Sequence, residues 1–232
     1  MKFSTYQTVA RLWWIGEWKH EICFNSRILD SIAVNGGELT NETTQQIADK
    51  YKVARQFPKF SKVAKAKAPD EYAPVVKCVN AILPSLSTMA LPDMVCKTAD
   101  DLALMRIVDR GGKRRVVKSR KEGNFFTNRG CAPVSAVSKW TWFGRPDVGV
   151  IYDKEARMTL RRLGHSVPEG NYRAYVTAFE DAYAKRASDL EYALDSLGPE
   201  KPTESWASRK LLDLWLWYNS PTNNNRRSRK RC

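Results

Sequence analysis

The chain has 232 residues, 43% of them hydrophobic and 11% aromatic, which suffices for one large core or two small ones and excludes a wholly disordered protein. Lys and Arg number 39 against 25 Asp and Glu, and the resulting +14 points to a polyanionic partner, nucleic acid first. No segment approaches the roughly 18 uncharged apolar residues of a membrane span, and the N-terminus lacks a basic-then-apolar leader, so a soluble, cytoplasmic protein without a membrane partner is expected. The five cysteines, Cys23, Cys78, Cys96, Cys131 and Cys232, are odd in number and scattered, as free thiols are. His20 and Cys23 have no second ligand pair to complete a metal site, and the one other histidine, His165, leaves little room for His-based catalysis.

In chain order, residues 6–29 place Leu12, Trp13, Ile15, Ile22 and Phe24 at helical spacing and predict one helix or two short ones with the tryptophans in the core. Asn35, Gly36 and Gly37 predict a turn, and Thr40 and Asn41 cap a helix that must stop near Pro58. Residues 70–83 and 98–108 predict two more helices, the second with Thr98 as N-cap and Asp100 and Asp101 in its first turn. Gly111 and Gly112 then break the helix, and six of the next nine residues are basic. These are either a solvated loop or hairpin or a phosphate-contacting segment, with Arg114, Arg115, Lys118, Arg120 and Lys121 as the contacts.

Beyond residue 160, Tyr172, Tyr175, Val176, Phe179 and Tyr183 lie on one face of a predicted helix that has Pro168 in its first turn. "GPEKP" separates it from a strongly apolar last helix within 203–220, and residues 223–232 form a basic, low-complexity tail. Strand signals are confined to "RRVVK" and "GVIY", so the chain reads as mainly α.

The stretch "PVSAVSKWTWFGRPDVGVIYDKEARMTL", residues 133–160, reads as a small-residue turn, a helix, a loop broken by Gly and Pro, and a second helix. The turn at 133–139 would leave backbone amides open to a phosphate. Lys139 near a helix start opposes the helix dipole, a cost that a chemical role would explain, and the positive helix end would favour its neutral, nucleophilic form. Asp153 taken alone is an ordinary helix cap. Taken with Lys139, it supplies the carboxylate that steadies oxocarbenium-like charge while an amine attacks the sugar carbon.

These residues resemble the helix-hairpin-helix DNA glycosylase superfamily. Pro133 to Lys139 is similar to the Leu-Pro-Gly-Val-Gly-Thr-Lys hairpin of that family, with Ser138 where Thr is usual, Lys139 at the nucleophile and Tyr152-Asp153 at the catalytic Val-Asp. The family's two hairpin glycines are Ser135 and Val137 here. The resemblance spans residues 125–185, and the wording "SK-x-x-WF-x-x-P" then "YD-x-x-A-x-x-x-L" looks like a divergent branch that includes bacterial glycosylases acting on glucosylated hydroxymethylcytosine in phage DNA. It implies Lys139 and Asp153 as catalytic residues, hairpin contacts to DNA from Ser135, Val137 and Ser138, and no metal or other cofactor, since the four-cysteine spacing of some members is missing.

A base inside a duplex must be rotated out, which calls for a wedge and a pocket. Trp142 and Phe143, on the helical face of Lys139, line that pocket or belong to the core. Phe125, Phe126 and Asn128 are candidates for the wedge or a base contact, and Arg145 for a phosphate contact or mere exposure. The expected architecture is a mainly α, helix-hairpin-helix glycosylase-like monomer on double-stranded DNA, with two helical subdomains around a DNA-binding cleft. Residues 1–110 with 200–222 form one subdomain and 111–199 the other. Activity would rise with pH as Lys139 loses its proton. The competing readings are a non-catalytic helix-hairpin-helix DNA clamp and, last, a basic RNA-binding protein whose affinity resides in its tail.

Overall fold

The computed structural model describes residues 5–16, 19–53, 72–105 and 132–223. These residues are mainly helical and contain no strand. "GVIY" is irregular chain with Val150 and Ile151 buried, while "RRVVK" and residues 224–232 lie outside the described residues. No helix among the described residues is long and apolar enough to cross a membrane.

The chain divides into two compact units, Met1–Arg27 with Val150–Cys232, and Ile28–Gly149. This differs from the grouping expected from sequence, 1–110 with 200–222 against 111–199. The reason is packing: helices from both ends of the chain meet in the first unit, so its boundaries fall inside a helix at Arg27 and in a loop at Gly149.

In the first unit, α1 (Tyr6–Trp14) starts where Thr5 accepts a hydrogen bond from the Thr8 amide at 3.2 Å, and it buries Val9, Ala10 and Trp13. Trp14 and Leu12 are only partly covered and Ile15 is exposed. The last helix, α10 (Ala207–Tyr218), buries nearly every side chain, the mark of an element in the middle of its unit rather than on its surface. It packs on α1, on α7 (Lys154–Arg162) and on α9 (Ala187–Asp195). Tyr6 lies 4.8 Å from Trp215 between ring centroids, and the Thr159 hydroxyl donates to the Leu216 carbonyl at 2.6 Å. Each large apolar side chain so covered contributes about 1.5–3 kcal/mol.

The run expected as one helix after residue 168 is two, α8 (Tyr172–Ala184) and α9, broken at Lys185 and Arg186. The break lets α8 pack on α7 while α9 turns onto α1. Pro168 precedes α8 instead of opening it, because Asn171 takes the N-cap and accepts from the Ala174 amide at 2.9 Å. Arg209 fixes α10 to α8 through both oxygens of Glu180, with its guanidinium over the rings of Phe179 and Tyr183.

The second unit takes the end of α2 (Lys19–Val34), then α3 (Asn41–Lys50), α4 (Ala73–Ile82), α5 (Leu91–Leu104) and α6 (Val134–Gly144). Gly36 and Gly37, at φ of 71° and 87°, end α2 in the left-handed turn that their sequence predicts. Thr40 and Thr43 close a reciprocal capping box at the start of α3. That helix stops at Lys50 rather than near Pro58, with Lys52 at φ 54°. The carboxamide of Asn80 on α4 pairs with both backbone groups of Leu39, at 3.0 and 2.9 Å. Helix α5 begins seven residues before the expected N-cap: Thr98 is buried in its interior, and Pro92 occupies the first turn, where a missing N–H costs nothing. Helix α6 packs on α3, α4 and α5 as the centre of this unit.

Candidate functional site

Helix α6 brings Lys139 into the interior of the second unit. Pro133 stands at the N-cap and helical backbone starts at Val134, so residues 134–139 are the first turns of the helix and not a separate hairpin turn before it. The amides of Ala136 and Val137 both bond to the Pro133 carbonyl, at 2.9 and 3.0 Å, and Val137 is fully buried. Val137 is therefore part of the core and offers DNA neither its amide nor its side chain. Ser135 and Val137 stand where the hairpin family has glycines, and nothing remains to hold the chain in left-handed turns. The Ser138 hydroxyl, also buried, is turned onto the Ser135 carbonyl at 3.2 Å.

A helical side chain leans toward the N-terminus of its helix, and Lys139 does so. Its Nζ donates to the Ser135 hydroxyl at 2.9 Å and to the Ser135 carbonyl at 3.2 Å. Lys139 is only 5% exposed. An amine is thus folded over the first turn of α6, a location that neither solvation nor the helix dipole favours.

Trp142 and Phe143 are buried at 2% and 0% exposure, with their rings in edge contact at 4.8 Å and Phe143 against Tyr51 at 5.8 Å. They are core side chains in this structure. Trp140 is equally buried, and its indole N–H donates to the Thr44 carbonyl at 3.0 Å. Arg145 is engaged by the protein itself: Nε and one terminal nitrogen bond the two oxygens of Asp147 at 2.9 and 2.8 Å, and the other reaches the Leu83 carbonyl at 3.2 Å. The guanidinium holds the Asp147 carboxyl below its ordinary value, and a phosphate would have to compete with that fork. Arg114, Arg115, Lys118, Arg120, Lys121, Phe125, Phe126 and Asn128 lie outside the described residues.

Asp153 belongs to the first unit. It is the N-cap of α7 in extended backbone conformation, and its Oδ1 accepts from the Glu155 amide at 2.7 Å. Aromatic contacts fix the loop that delivers it. The Tyr172 hydroxyl donates to the Val150 carbonyl at 2.7 Å, and the Tyr152 hydroxyl accepts from the Gly170 amide at 2.9 Å. The Tyr152 ring stands edge-on to Tyr175 at 5.0 Å and to Tyr172 at 5.9 Å.

Around Asp153 gather groups that sequence reasoning missed. Lys210 and Asp213 on α10 form an ion pair of 2.9 Å, with Lys210 at 2% side-chain exposure, and Glu21 of α2 lies 3.8 Å from the same ammonium. Burial pushes the Asp213 carboxyl up; Lys210 counters this, while the charges of Asp153 and Glu21 reinforce it. The Tyr175 phenol, fully buried, is pushed well above its ordinary value by burial and then by Asp213 and Asp153. The Asp153 backbone N–H works in the opposite direction without closing a hydrogen bond on the phenol oxygen, which has no partner. The available signal was a lysine and an aspartate one turn apart inside the otherwise apolar run "KLLDLWLWY".

Chemically, the first unit offers a carboxylate at a helix N-terminus and a buried Lys210–Asp213 ion pair, and the second a sequestered amine. No group of three His, Cys, Asp or Glu side chains suited to a metal ion is gathered among the described residues. The chain matches no protein-family model, no curated protein and no solved structure.

Proposed function

We propose that the chain is a DNA glycosylase that takes a modified base out of double-stranded DNA and cleaves its N-glycosidic bond, leaving an abasic site. The observation that carries this reading is Lys139: an amine 5% exposed, held on Ser135 at the start of α6, in a chain whose next helix opens on the carboxylate of Asp153. Burying an ammonium at a helix start costs stability, and a chemical role accounts for that cost. In this reading Asp153 supports positive charge developing on the deoxyribose, and Lys139 attacks the anomeric carbon or directs water to it. The architecture proposed is helix-hairpin-helix glycosylase-like with a DNA cleft. The chain acts as a cytoplasmic monomer without a cofactor, and the substrate suggested by the branch it resembles is glucosylated hydroxymethylcytosine in phage DNA. The +14 charge suits a duplex partner.

The test uses three duplexes carrying ordinary, oxidised or glucosylated hydroxymethyl bases, with alkali to cut abasic sites and borohydride to trap a Schiff base. Scission of one duplex, abolished in Asp153→Asn, and an adduct lost in Lys139→Gln are expected. Equal binding to all three duplexes without abasic sites would replace the enzyme by a helix-hairpin-helix DNA clamp, the second reading, which the +14 charge supports.

A further inference from the structure

Elements of the first unit send ionisable groups to one place: Glu21 from α2, Asp153 from the start of α7, Tyr172 and Tyr175 from α8, and Lys210 and Asp213 from α10. Other arginines of these helices are engaged elsewhere, Arg209 with Glu180, Arg157 with Glu169 and the Val167 carbonyl, and Arg162 with the Asn219 carbonyl. Among the described residues, the charges that bear on Asp213 are Lys210, Asp153 and Glu21, one ammonium against two further carboxylates. Burial and these two charges favour the protonated form of Asp213, and Lys210 opposes them. The fully buried hydroxyl of Tyr175 faces this group and has no hydrogen-bond partner. A phenol is a donor and carboxylates are acceptors, so an unspent donor stands beside an excess of acceptors.

We propose that Tyr175, Lys210 and Asp213 are positioning residues for Asp153, joined to it in one buried polar cluster. The inference rests on the reading of Asp153 as the group that supports the reacting sugar. Lys210 neutralises Asp213 across their 2.9 Å ion pair, which relieves the like-charge repulsion between Asp213 and Asp153. Burial favours the protonated form of Asp213, while Asp153 sits at the N-terminus of α7, which favours an anion. The Tyr175 hydroxyl supplies the donor for whichever carboxylate bears the charge.

The test follows the Asp213 carboxyl by NMR in the full chain labelled with 13C-aspartate. Asp153→Asn is expected to move its titration to lower pH, Lys210→Met to higher pH, and Lys210→Arg to leave it in place. An unmoved Asp213 in Asp153→Asn would overturn the proposal, and this arm survives if Lys210→Met fails to fold. In base release, the acid limb of the rate profile should move to higher pH in Lys210→Met and not in Lys210→Arg. A slower rate with an unmoved limb would make the pair merely structural and overturn the proposal. Tyr175→Phe should lower kcat about tenfold at unchanged KM, the loss usual when an orienting group is removed, while raising Tm. If no duplex is cut by any variant but Asp213 still answers to Asp153, the cluster is upheld and the enzyme reading alone falls.

Discussion

Lys210 and Asp213, one turn apart on α10, close a 2.9 Å ion pair almost wholly withdrawn from solvent. Such a pair is worth less than the damage done by halving it, because the survivor is a buried charge without compensation. Lys210→Met should cost about 3–5 kcal/mol. The double change Lys210→Met with Asp213→Leu should recover most of that loss, and urea unfolding at neutral pH compares the two.

Two carboxyls give the stability profile opposite slopes. Asp147 is held down by Arg145, so its contribution is complete above its unfolded value and is lost as pH falls through its lower folded value. Asp213 is raised by burial, so the folded chain binds more protons than the unfolded one just above the ordinary carboxylate range, and stability declines there as pH rises. Melting temperature against pH should have a shallower acid-side fall in Asp147→Asn, with Asp181 still held low by Lys185, and a smaller decline above that range in Asp213→Asn.

Arg145 separates a loop clamp from a DNA contact. With its fork on Asp147 and a third bond to the Leu83 carbonyl, Arg145→Ala should lower stability by about 1 kcal/mol, a modest figure because both partners are partly exposed. The salt dependence of DNA binding should not change. A phosphate contact would instead flatten the logarithmic salt slope by about 0.9.

Gly149 tests how tightly the second unit closes at its last residue. A Cβ there would stand 2.6 Å from the Trp142 Cα and 2.8 Å from the Arg145 carbonyl oxygen, and both are backbone atoms that cannot step aside. Gly149→Ala should destabilise by about 1–3 kcal/mol, the usual cost of overpacking, and calorimetry would register it as a lower Tm.

The helical class and several helix ends were legible in the sequence because their signals are local. Thr40, the Gly36-Gly37 turn and the Asp153 cap act through side chains or torsions within a few residues. Helix α5 starts ahead of Thr98 because Pro92 sits in its first turn, where proline is tolerated, and Thr98 lies buried in its interior instead of capping it. The break between α8 and α9 has no glycine or proline to mark it; packing of α9 on α1 makes it. Lys139 and Asp153 were visible as residues, while the direct start of α6 at Val134 followed from the burial of Ala136 and Val137. The surroundings of Asp153 were hidden because Tyr175 and Asp213, with Lys210 and Glu21 beside Asp213, come from α8, α10 and α2, which tertiary packing alone brings together.

The ring contacts of Tyr152 bear on any transfer of residues 133–160 to another scaffold. The stretch 133–160 looks like a self-contained cassette, yet the loop before Asp153 is held by the hydroxyl of Tyr172, the amide of Gly170 and the face of Tyr175, all supplied further along the chain. Grafted onto another scaffold without α8, the cassette would keep its lysine on Ser135 and lose the coordinates of its carboxylate. The unit of transplantation runs at least through Ala184, the end of α8.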